Sequence, residues 1–449
     1  MRLFGWFTLL IYFSLRTKYI EKGHLKSYIL GRKTVMFDRV YRSKYYRIID
    51  VIFMALAFSI SLYFIFNLTY RQATAIQGWE SDIGDYINNI RDGHYGCYPI
   101  MFWTAALLNK ISMGRFSLQF AMAFTVTLFN LITFIVTKAI ISKQTGARVV
   151  STICTVVLYF SSMIFNHRLT RFGIKYYFEG VGSQNPWHNA TYVCARPFVL
   201  LAFVFGAYTM LNYENDFKVG MVFKWERYKY YILFAVILFL STLAKPSYTL
   251  PHMTVVFVVA VFRFFKNRCK TFRQSIILAT AYIPTICALI YQYLYTLTGT
   301  DSYGNEQGLE VKLGGSWIIY SDNIPLAIIL ATFFPFIVLA LHRDMLKESQ
   351  QFRFAWQIYI VALIMRLILV EQGYRAAHDN FCWGYYYGIL LVFFSSIVIL
   401  IKDGRELIDG NSTKKKNIIL ITEAVALIIH FIFGIHFFNL LYIGCDYRL

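Results

Sequence analysis

The chain has 449 residues, 57% of them hydrophobic, 19% aromatic and only 15% charged, yet its net charge is +20. With a mean hydropathy of +0.50, this composition excludes an ordinary soluble domain. The basic residues fall in short loops between apolar runs, which argues against a nucleic-acid partner and for anionic membrane lipids and control of topology.

Apolar runs recur along the chain, each close to the roughly 20 residues that a helix needs to cross hydrocarbon. The alternation of a transmembrane β-barrel is absent. The pattern predicts an all-α polytopic membrane protein, a single transmembrane domain over residues 1–449 with helices in its external loops. Spans are expected near 49–68, 116–139, 147–165, 193–212, 229–244, 248–265, 275–296, 324–342, 354–370, 381–401 and 417–442, about eleven in all.

The first 49 residues hold eleven Lys or Arg. So basic a flank places segment 1–48 on the cytoplasmic side. Leu3–Leu15 is apolar but short and lacks a small-residue cleavage pattern, so an interfacial helix is expected there rather than a cleaved signal. The first span then leads outward into a loop over residues 69–115. Further basic groups recur at alternate loops: Lys138, Lys143 and Arg148; Lys218, Lys224, Arg227 and Lys229; Lys266, Arg268, Lys270 and Arg273; Arg343, Lys347 and Arg353; and Lys402, Arg405 and Lys414–Lys416. The alternation predicts a multi-pass protein of the plasma membrane with these loops inside.

The intervening loops are unlike the basic ones, and function concentrates in loops held by a rigid scaffold. The first carries Gly78–Met101, GWESDIGDYINNIRDGHYGCYPIM, with Glu80, Asp82, Asp85 and Asp92. If SDIGDY is helical, Asp82 and Asp85 share a face at i and i+3. Two carboxylates that close repel, which raises one pKa and makes that group a usable proton acceptor. His94 and Tyr98 come next as polar groups of the same loop. The second loop contains Gln184–Pro197, QNPWHNATYVCARP. Asn185, Trp187, His188, Asn189 and Tyr192 suit a sugar, by amide hydrogen bonds and aromatic stacking, and Arg196 before Pro197 suits a phosphate near the interface. Snorkelling and an aromatic belt are the plainer account.

Lys245, in AKPS, lies at the outer end of a span, where a charge is either functional or snorkelling. The late loop EQGYRAAHDN holds Glu371, Arg375 and His378. Arg375 and His378 suit a phosphate clamp, or Glu371 and Arg375 brace each other at i, i+4. No HExxH or similar pattern occurs, so no metal ligands are assigned, although Asp residues beside a phosphate are compatible with Mg²⁺ or Mn²⁺. Seven cysteines (Cys97, Cys154, Cys194, Cys269, Cys287, Cys382 and Cys445) are scattered without CxxC spacing and indicate neither a zinc site nor a disulfide framework.

GWESDIGDY after the first span, then HYGCYP and an amphipathic stretch, resembles the GT-C superfamily of integral-membrane glycosyltransferases. The resemblance implies a fold of about a dozen helices and a catalytic acid in the first external loop. It implies a sugar donor on a polyprenyl-phosphate carrier and a glycan or lipid acceptor on the extracytoplasmic face. On that reading the enzyme inverts, with Asp85 as the favoured general base because it directly precedes Tyr86 in the GDY sequence, and Asp82 as the alternative. Arg375, His378, Arg196 and Lys245 meet the lipid phosphate, while Glu80, His94, Tyr98, Asn185, Trp187, His188 and Glu371 meet sugar or acceptor. The large soluble C-terminal domain of some members is not expected here, which favours single-sugar transfer to a polysaccharide, lipid or cell-wall polymer. Two other readings remain: a polysaccharide polymerase or O-antigen-ligase-like enzyme, and a polytopic transporter or flippase.

Overall fold

A computed structural model describes residues 44–74, 78–79, 81–173, 181–218, 225–298, 307–408, 410 and 413–444. The expected interfacial helix Leu3–Leu15, and Glu80, lie outside these residues.

The fold is helical, as expected. Its main helices are α1 (Lys44–Ala73), α2 (Ile83–Arg91), α3 (Pro99–Ile111), α4 (Leu118–Thr145), α5 (Arg148–Phe160), α6 (Ala190–Asp216), α7 (Trp225–Ala244) and α8 (Thr249–Lys266). They continue with α9 (Phe272–Thr280), α10 (Ile283–Thr296), α11 (Ile324–Leu341), α12 (Gln350–Ile368), α13 (Cys382–Ile408) and α14 (Lys414–Tyr442). Two short strands, β1 (Leu309–Val311) and β2 (Leu369–Glu371), pair antiparallel with Glu310 opposite Val370.

Among the described residues nine helices are long and apolar enough to cross a membrane: α1, α4, α6, α7, α8, α11, α12, α13 and α14. The other two expected spans are broken. The stretch near 275–296 is the pair α9 and α10, bent by 57°, with Pro284 in the first turn of α10, where a missing N–H does no harm. The stretch near 147–165 is helical only to Phe160. Thirteen residues give about 20 Å of helix, short of the roughly 30 Å hydrocarbon.

The short α5 is tolerated because the segment after it is satisfied by protein. Past the C-cap Ser161, residues Ser162–Asn166 run without helical structure, and their backbone finds partners in the core. The Ser162 N–H donates to His430 O (3.1 Å) and the Ile164 N–H to Leu330 O (3.0 Å). Leu330 O is free because α11 breaks at Thr332, just before Pro335. The Phe334 N–H, which would have taken that oxygen in an unbroken helix, donates instead to His430 Nε2 (3.2 Å). His430 Nδ1 therefore carries the proton and donates to Ser162 O (2.7 Å). Irregular backbone at membrane depth survives only when protein satisfies it in this way. Gly434 lets α14 approach: a Cβ there would overlap the Phe160 carbonyl.

α6 and α13 form the centre. Every residue of α13 from Cys382 to Ile401 is buried, packed by α12, α11 and α14, while α6 packs on α4 and α7. α1 is at the rim, with Val51, Phe53, Leu56 and Ile60 exposed, as befits a lipid-facing helix.

The helix ends sort into two faces. At one, Lys138 donates to Asp50 (2.7 Å), Thr152 donates to the other Asp50 oxygen (2.9 Å), and Gln144 meets Gln351 (2.7 Å). The basic turns after α4, α11 and α13 lie on this face. At the other, Arg71 donates to Tyr442 O (2.8 Å), and β1 and β2 tie two polar loops together. The unusual loops gather on this second face.

Candidate functional site

The site is built from four loops of that second face, starting with α2. Ile83, Ile87 and Ile90 are buried, the i, i+4, i+7 stripe that seats an amphipathic helix. Seating it this way puts Asp82 at the N-cap, where the helix dipole favours a carboxylate. Asp82 does not cap the helix with its side chain. Its Oδ2 instead accepts a hydrogen bond from the Tyr86 hydroxyl (3.2 Å). The Tyr86 pKa lies well above the usual tyrosine value, through burial first and the Asp82 charge second, with the Thr191 hydroxyl acting in the opposite direction.

Thr191 belongs to the first turn of α6, whose N-cap is Asn189. Asn189 Oδ1 accepts from the Tyr192 N–H (2.9 Å) and from the Thr191 hydroxyl (2.9 Å). It also accepts from Lys245 Nζ (3.2 Å), and Nζ donates to Thr191 as well (2.9 Å). Thr191, Lys245 and Asn189 thus form one hydrogen-bonded group, and the Asp82–Tyr86 pair lies beside it, with Asp82 acting on the Lys245 charge.

Lys245 stands where α7 stops and a short turn, Pro246–Tyr248, begins. It is 6% exposed and lies over the Trp383 ring at 4.8 Å. Burial pulls its pKa down from 10.5 to about 8, with Asp82 the strongest opposing charge. His188 is buried beside it, its ring 5.8 Å from that of Trp383. Burial, then the Lys245 charge, push its pKa down to about 3, so this imidazole is neutral.

The late loop closes the cluster. Arg375 and Glu371 form a two-pronged pair, Nε to Oε2 at 2.9 Å and the terminal nitrogen to Oε1 at 3.2 Å. Asn380 adds a third bond to Glu371 (2.5 Å). This is the i, i+4 brace, one of the two arrangements the sequence allows. Tyr98, the N-cap of α3, titrates above its usual range through burial and the neighbouring Cys97 thiol, and it feels both Arg375 and Glu371.

Seven of the expected site residues therefore gather here: Asp82, Tyr98, His188, Asn189, Lys245, Glu371 and Arg375. The others do not join them. Asp85 is exposed on α2. His94 is exposed, and its backbone N–H closes α2 onto Asn89 O (2.8 Å). The exposed His378 has its ring against Tyr374 (5.6 Å), which is not a clamp with Arg375.

Arg196, Asn185 and Trp187 come together elsewhere. Arg196 is 1% exposed. It donates to Asn185 Oδ1 (2.6 Å) and to Asn130 Oδ1, and lies over the Tyr159 and Trp187 rings at 4.8 and 5.2 Å. Asn185 Nδ2 donates to Leu158 O (2.9 Å) and Ser161 O (2.7 Å). This network pins the irregular end of α5 to α6. In this arrangement neither Arg196 nor Asn185 faces a membrane-surface ligand, and the reason is burial inside the helix bundle.

Tyr86, Thr191, Trp383 and Asn380 are site members beyond those expected. Tyr86 had a signal, because i, i+4 from Asp82 puts its hydroxyl over that carboxylate. Thr191 had a weaker one, as the N2 residue after a capping Asn. Trp383 and Asn380 had none apart from lying in a polar loop.

Compared with known proteins, the chain matches no family model, no curated protein and no solved structure.

Proposed function

We propose that the protein is an inverting glycosyltransferase that takes a single sugar from a polyprenyl-phosphate carrier and passes it to a polysaccharide, lipid or cell-wall acceptor on the extracytoplasmic face of the plasma membrane. The observation that carries this reading is the buried Lys245 ammonium, held by the neutral oxygens of Asn189 and Thr191 and acted on by the exposed Asp82 carboxylate nearby. A cation and a carboxylate so arranged at one face can serve the two ends of a glycosyl transfer.

In this reading Asp82 takes the proton from the acceptor hydroxyl. The oxygen attacks the anomeric carbon as the bond to the phosphate oxygen breaks, and the lipid phosphate leaves with that electron pair. Lys245 offsets the charge growing on the leaving oxygen, the kind of fixed stabilisation that contributes most in a water-poor site. An arriving phosphate also raises the Lys245 pKa and keeps its proton on. Asp82 is preferred to Asp85 because its carboxylate is held by Tyr86 and is the strongest charge opposing the fall in the Lys245 pKa. Arg375 serves by fixing Glu371 and the edge of the site near Tyr98. A divalent cation, Mg²⁺ or Mn²⁺, is compatible with this scheme but takes no step in it.

The test is incubation of purified protein with a panel of polyprenyl-phosphate sugars and glycan or lipid acceptors, measuring lipid-phosphate release and sugar transfer. Acceptor-dependent release supports the reading. Absence of release across the panel, with substrate movement across vesicles instead, replaces it with a transporter.

A further inference from the structure

A second polar cluster lies at the opposite, basic face and takes no part in the proposed transfer. His342 ends α11, Asp403 belongs to the last turns of α13 and Glu423 to α14. His342 Nε2 is 2.7 Å from Glu423 Oε1 and 3.1 Å from Asp403 Oδ2. One ligand atom from each residue lies within 4.8 Å of the others. The Glu423 side chain is 0% exposed.

Two facts set this apart from a plain ion pair. An imidazole has one Nε2–H and can direct it to a single oxygen, yet here Nε2 faces two carboxylates. Glu423 Oε1 has that ion-pair contact alone, and Oε2 is buried with no hydrogen-bond donor among the described residues. A buried carboxylate left in this state costs far more than a satisfied one. Moreover, the nitrogen–oxygen separations bracket the edge of a coordination polyhedron. With metal–ligand bonds of about 2.1 Å, ligands at right angles sit about 3.0 Å apart. Buried ionisable groups within membrane helices are rare and mark ion sites.

We propose that His342, Asp403 and Glu423 bind one divalent transition-metal ion, of the zinc or manganese type, which ties the ends of α11, α13 and α14 together. One nitrogen and two carboxylate oxygens suit such an ion better than a soft cation. Three protein ligands leave room for water to complete the shell. The ion gives the Glu423 oxygens a partner and fixes the exit of α11, the helix that is broken at Thr332. The exposure of His342 and Asp403, at 19% and 28% of the side chain, opens a path for exchange.

The test uses the full-length protein in detergent, stripped with chelator and titrated with MnCl₂, following loss of the free-ion electron paramagnetic resonance signal. One Mn²⁺ per chain, displaced by ZnCl₂, is expected, together with a rise in melting temperature. Glu423→Gln keeps the shape of the side chain and should weaken binding by at least about 100-fold, since even outer-shell changes at metal sites cost about 10–100-fold. His342→Cys guards against a variant that fails to fold, because thiolate should shift the preference from Mn²⁺ toward Zn²⁺. The proposal is overturned if the wild-type chain binds no saturable ion, or if Glu423→Gln and His342→Cys bind both metals as the wild type does.

Discussion

Lys245→Met separates a functional from a structural reading of the buried lysine. The fall in its pKa from 10.5 to about 8 corresponds to about 3 kcal/mol against carrying the charge in the folded chain. Methionine removes that cost. It also removes two hydrogen bonds, to Asn189 and Thr191, worth about 1 kcal/mol each, and the contact over Trp383, worth about 1–2 kcal/mol. The terms nearly cancel, so the variant should melt within a few degrees of the wild type. Lipid-phosphate release should nevertheless fall by about 10²–10³, the cost of losing one preorganised charge-stabilising group.

The pH dependence has a definite sign. The folded pKa is below the unfolded one, so between about pH 8 and 10.5 the unfolded chain holds the proton that the folded chain has released. Stability therefore rises with pH across that window. Turnover at low substrate should fall over the same range, with an alkaline limb near pH 8 that Lys245→Met abolishes. The assay is initial rate against pH, with thermal melting in detergent alongside. A large drop in melting temperature for Lys245→Met, or release at the wild-type rate, would refute the reasoning.

The same geometry makes three further predictions. Asp82→Asn should lower turnover by about 10²–10⁴, the usual contribution of a general base, with donor affinity retained, whereas Asp85→Asn should be mild; initial rates of both that match the wild type would remove the first loop from the chemistry. Glu371→Gln and Arg375→Gln should each harm thermal stability more than the double substitution does, since each single change leaves a half-buried charge without its partner, and an additive result would dissolve the brace. Single cysteines placed at Asp92 and at Lys414 should react differently with an impermeant reagent in intact cells, the first labelled and the second not, and labelling at Lys414 would invert the topology.

The helices were legible because their signal is a run of apolar residues, which lipid enforces without reference to neighbours. The two broken spans were not. Hydropathy counts Ser161–Phe165 as a continuation of α5, yet those residues leave the helix because His430 and Leu330, over 160 residues away in sequence, supply their partners. In the same way, the first loop's polarity marked Asp82 as a site residue, and AKPS marked Lys245. That Asp82 comes close enough to act on the Lys245 charge is a matter of how α2 seats on α1, α3 and α4, which no local pattern records. Arg196 misled for the opposite reason: its position after a polar loop suggested a membrane surface, while the fold draws that loop inward.

Four buried or half-buried cations distinguish the site from its surroundings by what neutralises each. Arg366, 0% exposed, is matched by Asp379 at 2.5 Å and lies flat over Trp317 at 3.6 Å. Arg375 is matched by both oxygens of Glu371. Arg196 has the amide oxygens of Asn185, whose amino group is committed to the backbone of α5 and the segment after it, and of Asn130, committed to that of α4. Displacing any of these partners leaves an uncompensated group in the core, and that costs several kcal/mol. Lys245 differs. Among the described residues no carboxylate lies within ion-pair distance of it, and Asp82 acts on it from farther away. An anion arriving at this face would gain most at Lys245 and displace least, and Asp82, the carboxylate acting on it from farther away, is exposed. That asymmetry, rather than the number of polar residues in any one loop, is what singles out this cluster for the transfer proposed above.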